Sequence, residues 1–110
     1  MPEDYKALVT ALKASKIPFA EYDWKKRPTG DYGTVQLDYE ADADHGDNRK
    51  VARAWGGSVD LFMHGRDEVK INWVEEILES ICESCWRLES VQHERETGLM
   101  HYEWSFEVES

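Results

Sequence analysis

Near the C-terminus, Met100, Tyr102, Trp104, Phe106 and Val108 alternate without interruption against His101, Glu103, Ser105 and Glu107. A strand turns successive side chains to opposite faces, so this period of two describes a sheet with one dry and one wet face. No helix satisfies it. Three adjacent aromatic positions on the dry face also require a bulky cover, and the rest of the chain must supply it.

Two helical stripes do so. After Pro2, the residues Tyr5, Leu8, Val9 and Leu12 recur at helical spacing, with Glu3 and Asp4 in the first turn and Lys13 and Lys16 in the last. These charges complement the helix dipole, and Ile17-Pro18 ends the helix because the residue before proline is pushed out of the α region. A second, broader stripe over residues 67–85 comprises Val69, Trp73, Val74, Ile77, Leu78, Ile81, Cys82 and Cys85, with Asp67 as its N-cap.

Three further segments have strand character. Gly33 to Glu40 alternates Val35, Leu37 and Tyr39 against polar residues. Val51 to His64 carries Trp55, Val59, Leu61 and Met63, with Gly56-Gly57 as a bulge or close backbone approach, and Trp86 to Glu94 precedes a turn containing Thr97-Gly98. Glu21 to Tyr32 reads as an extended connection and Ala41 to Asn48 as a solvated, mobile acidic loop. The expected fold is α+β, an antiparallel four-stranded sheet with two helices packed on one face, in the order α-β-β-α-β-β.

At 110 residues the chain fits one domain, and a 41% hydrophobic composition with five Trp is too apolar for disorder. No apolar run approaches the ~20 residues that span a bilayer, and the acidic start differs from a basic signal peptide. A soluble, cytoplasmic chain without a membrane is expected. Its 23 acidic and 13 basic residues give a net charge of -10, so capture of nucleic acid by a basic patch is not expected. The acidity suits solubility, repulsion of passing DNA, or imitation of DNA.

Candidate chemistry is sparse. Cys82-Glu83-Ser84-Cys85 has C-x-x-C spacing, but it lies at the predicted helix C-terminus, where the dipole disfavours thiolate; both thiols read as small buried hydrophobes. Structural zinc would need two more ligands, and the histidines show no pairing. Asp42, Asp44 and Asp47 around His45-Gly46 offer oxygen ligands, but Gly46 and Arg53 break the EF-hand spacing. Glu75, Glu76, Glu79 and Glu83 fit the solvated face of the second helix. No nucleophile-elbow, zincin or phosphate-loop pattern occurs, so neither catalysis nor a cofactor or metal is expected.

The order of elements and several local phrases resemble the tail-terminator and tail-completion proteins of long-tailed phages and prophages, with siphovirus-like or myovirus-like tails. The phrases are Leu12-Lys13-Ala14-Ser15-Lys16-Ile17-Pro18-Phe19-Ala20, the Trp24 to Tyr32 connection, the acidic Gly-Asp loop, Gly57-Ser58-Val59-Asp60-Leu61-Phe62 and the aromatic last strand. The resemblance implies a homo-oligomer, typically a hexameric ring, assembled in the host cytoplasm and resident in the virion tail. Such a ring caps the tail tube, contacts the tail tube protein and the head-completion or neck proteins, and lets DNA pass its lumen without specific binding.

In a cyclic ring two different patches of each subunit must be complementary. Tyr22, Trp24 and Trp55 are the expected interface aromatics, and Lys25, Lys26 and Arg27 are expected to face Asp42, Asp44 and Asp47 of a neighbour. The alternative is a small acidic phage-encoded inhibitor that mimics DNA toward a host DNA-binding or defence protein, which would show carboxylates in rows on one face.

Overall fold

The computed structural model describes residues 3–41, 45–46, 49–50 and 54–109. The first helix, α1 (Glu3–Lys13), buries Tyr5, Leu8 and Leu12, the i, i+3/i+4 rows of its apolar stripe. It stops one turn before Lys16. Ser15 turns its hydroxyl back onto Leu12 O at 2.6 Å, occupying an end carbonyl that another helical turn would use.

The second helix, α2 (Glu68–Cys82), is capped as expected, with Asp67 in extended backbone and its carboxylate accepting from the Val69 and Lys70 amides. Its C-cap, Glu83, adopts the left-handed conformation at φ 40, so the helix ends before Cys85. Ile71, Val74, Leu78 and Cys82 are its buried row, while Val69, 54% exposed, falls off it.

The strands are β1 (Phe19–Glu21), β2 (Tyr32–Ala41), β3 (His45–Gly46), β4 (Arg49–Lys50), β5 (Ala54–Met63), β6 (Trp86–His93) and β7 (Met100–Glu109). The main sheet has the order β1-β2-β5-β7-β6. Its β2–β5, β5–β7 and β7–β6 ladders are antiparallel, and β1 joins β2 in parallel. The expected four-stranded antiparallel sheet in α-β-β-α-β-β order is therefore corrected to a five-stranded mixed sheet. Pro18 ends the turn after α1 and accepts from the Gly33 amide, which starts the added strand. Phe19 then lays its ring over Gly33, where a Cβ would stand 2.2 Å from the ring.

A second correction concerns the acidic loop. His45–Gly46 pairs antiparallel with Arg49–Lys50, so part of that segment is a two-stranded ladder of its own. Of the bulge or close backbone approach expected at Gly56-Gly57, the close approach is present, with Gln36 O against Gly57, while the extra residue of the ladder lies on the partner strand, between Leu37 and Tyr39. The glycines accept the bulge from across the ladder, Gly56 lying beneath the Tyr39 ring and Gly57 against Gln36 O and Phe106.

Both helices lie on one face of the sheet, over Val35, Val59, Leu61, Tyr102, Trp104, Phe106 and Val108. The Tyr5 and Phe106 rings stack at 6.3 Å. Trp104, fully buried, donates its indole N–H to Glu75 at 2.9 Å, and Trp86 donates to Glu79 at 2.8 Å. Two of the glutamates expected on a solvated face thus accept from indoles of the sheet; for Trp104 this satisfies a buried N–H, which without a partner costs about 1–3 kcal/mol. Among the described residues, the opposite face of the sheet carries no helix. No described helix is long and apolar enough to cross a membrane.

Candidate assembly surfaces

The connection after β1 is fixed to the sheet by its aromatics. Tyr22 takes up a left-handed conformation at φ 70 and donates its amide to Val35 O at 2.9 Å and its hydroxyl to Leu37 O at 3.4 Å. Trp24 donates to Gly33 O at 3.0 Å and meets the Tyr32 ring edge-on. Arg27 reaches the Tyr32 hydroxyl at 3.4 Å, which raises the guanidinium pKa. Three of the residues expected at an interface, Tyr22, Trp24 and Arg27, are thereby gathered along β2, with Lys25 and Lys26 exposed between them. Half of the Tyr22 surface stays open, whereas Trp24 spends much of its ring on its own sheet.

Trp55 is separate from this group. It sits opposite Val108 on the helix-covered face, half-buried and packed against the core, beside Glu40 at the far end of β2 from Tyr32. Asp42, Asp44 and Asp47 lie outside the described residues.

Sequence reasoning did not find the anchor that closes this connection. Asp31, mostly buried, accepts from Lys70 Nζ at 2.7 Å and from the His64 amide at 2.9 Å, with His64 Nδ1 at 3.1 Å. Burial pushes the carboxyl up, but the Lys70 and His64 hydrogen bonds outweigh it and hold the pKa below its ordinary value. One acidic side chain thus ties the connection to the β5–α2 turn and to α2. Its only sequence signal is a lone Asp before the strand.

The helix-free face is built from the polar half of the alternation. Tyr32, Phe62 and His101, one from each of β2, β5 and β7, stack at 4.8 and 4.2 Å. His101 Nε2 lies 2.7 Å from Asp60, and Nδ1 lies 3.6 Å from Glu94. The hydrogen bond to Asp60 raises the imidazole pKa against the opposing effect of burial, with Glu94 and Glu103 adding to the rise. Ser90 donates to Glu103, Ser105 donates to Glu89, and Arg87 pairs with Glu89. Asp60, Glu89, Glu94 and Glu103 are thus engaged within the sheet, while Glu107 and Glu109, toward the end of β7, stay exposed.

The thiols differ from expectation in one respect. Cys82 is buried, and burial pushes its pKa up to about 12, but Cys85 is exposed beyond the helix end. Among the described residues, no three His, Cys, Asp or Glu side chains gather as a metal ion would need.

No protein-family model matches this chain, and no curated protein does. Among solved structures, it is similar to a chain of the virion of a native gene transfer agent particle. The likeness covers 96% of this chain and 94% of that one at a TM-score of 0.54 and 12% identity. That likeness establishes the fold, helices and sheet together, over nearly the whole length.

Proposed function

We propose that this chain is a structural virion protein of a phage-like particle, a subunit of the ring that caps the tail tube, ends its polymerisation and joins tail to head. The observation that carries the reading is the end-to-end likeness to a chain of a gene transfer agent virion, with little sequence in common. Both chains are covered almost fully, so the likeness concerns a whole subunit and not a widespread half-motif. The tail-terminator resemblance of the sequence points to the same particle.

In this role the chain acts by shape, without turnover. Its helix layer gives a rigid back, and the anchored connection and sheet edges give side surfaces for copies of itself. The helix-free face, with Asp60, Glu94 and Glu103 about His101, suits a wall past which DNA slides, since like charge keeps the polymer from adhering. The engagement of those carboxylates inside the sheet favours this reading over DNA mimicry, which needs free acids at phosphate spacing.

Deletion of the gene tests the proposal directly. Tails of uncontrolled length without attached heads are expected by electron microscopy, and a labelled chain should mark the head-proximal tip of each normal tail. Normal tails after deletion, or label elsewhere in the particle, would refute it.

A further inference from the structure

Of the five large hydrophobic side chains most exposed among the described residues, four stand at the two opposite edges of one sheet. Leu88 and Val91, 42% and 45% exposed, lie on β6; Tyr22 and Tyr39, 50% and 54% exposed, lie on or beside β2. Both edges are incomplete. Among the described residues β6 forms its ladder with β7 alone, and β1 pairs with only Gly33, Thr34 and Val35 of the ten-residue β2, Tyr22 adding hydrogen bonds to Val35 O and Leu37 O just beyond it.

We propose that these edges meet between copies of this chain, β6 of one subunit adding antiparallel to the β1–β2 edge of the next, so that the sheet continues around the ring. This rests on the ring reading above and names its interface. Strand direction supports the match: β2, β5, β7 and β6 alternate in direction, so a head-to-tail neighbour presents a β2 that runs opposite to β6. The phase of β6 supports it too. Cys85 O accepts from the Glu107 amide and the Glu94 amide donates to Leu99 O, so residues in register with these face β7. With the bulge between Leu88 and Ser90, the amides and carbonyls of Leu88 and Val91 point outward, away from β7.

Charge fits as well. On the helix-free face Arg87, its side chain 79% exposed, borders the β6 edge, and exposed Asp38 borders the β2 edge. Leu88 and Val91 stand on the helix-covered face, opposite Trp104 and Tyr102, where Tyr22 lies beside Tyr5, so an aliphatic–aromatic cross-strand pair can form with Tyr22, whereas Tyr39, over Gly56, belongs to the helix-free face. Closing the ring also removes an eight-residue edge strand with Leu88 and Val91 exposed on it, which would otherwise invite uncontrolled pairing.

Val91→Pro tests the pairing, because proline at an outward amide leaves the β7 ladder intact while removing a donor from the outer one. Leu88→Lys, which places a charge on the edge without touching the backbone, is the second variant. Sedimentation velocity of the full chain across concentration is the readout, with circular dichroism and thermal midpoint to verify folding. Wild type should pass from monomer to a closed oligomer of more than two subunits, and each variant, still folded, should need about tenfold more protein, a loss of ~1.4 kcal/mol.

A wild type that stays monomeric at every concentration, or folded variants that assemble as it does, would overturn the pairing. A species that stops at a dimer and is lost in both variants would mean that β6 pairs with itself, which also overturns it. The tail-length phenotype is independent of these results: overlong tails on deletion with variants that still assemble would sink only the edge pairing, and normal tails would sink the ring.

Discussion

Gly33 shows how one missing side chain sets the position of an edge. The Phe19 ring fills the space where a Cβ would sit, and Asp60 O stands 2.8 Å from the same point, so neither a ring nor a main chain has room to yield. Gly33→Ala should therefore destabilise the fold by about 1–3 kcal/mol, the usual cost of overpacking, and lower the urea midpoint. Gly30→Ala, with nothing within 4 Å of the new carbon, should leave it almost unchanged. Equal midpoints would mean that β1 is not held by this contact. Residue-scale pairings were the least legible part of the sequence. Nothing in the spacing of Trp104 and Glu75, or of Asp31 and Lys70, marks them as partners, because such bonds join residues far apart in the chain across different elements.

Elements were legible in proportion to their length. The alternation of β7 and the stripes of α1 and α2 run through several periods, and the Asp67 cap follows from local chemistry. β1 spans three residues and β3 and β4 two each, too short for any period to declare itself, and β1 depends on a tertiary contact. The Tyr22 to Arg27 group was readable as a candidate surface, but not its attachment to β2. That attachment leads to a prediction about the connection as a unit. The Asp31 pKa is lowered on folding, so its contribution is present above the unfolded carboxyl value and is lost as pH falls through the lowered one. Amides of residues 23–30 should exchange faster with solvent as the solution is acidified through that range, while those of β5 and β7 remain protected. Asp31→Asn should reproduce the faster exchange at neutral pH and remove the acid dependence. A connection equally protected in both proteins would show that other contacts hold it.

At the scale of the molecule, each copy carries a net charge of -10, and any ring must bring such copies together. Two electrostatic effects then oppose one another. General repulsion between copies is long-ranged and is screened over a Debye length of ~10 Å at 0.1 M salt, whereas an ion pair at an interface is short-ranged and desolvated, and loses less. Raising salt from about 0.02 to 0.2 M should therefore strengthen assembly of the wild-type chain overall, read as a lower concentration at half-assembly by sedimentation. The basic group decides the sign of any local departure. Lys25 and Lys26 are exposed, and Arg27 already donates to Tyr32, so the two lysines are the members available to a neighbour. Reversing them to Glu both removes an attraction and adds to the repulsion, so the double variant should assemble worst at low salt and approach wild type as salt rises. If its deficit were instead independent of salt, the lysines would act through packing of their stems, and the complementarity proposed for Lys25 to Arg27 with Asp42, Asp44 and Asp47 would fail.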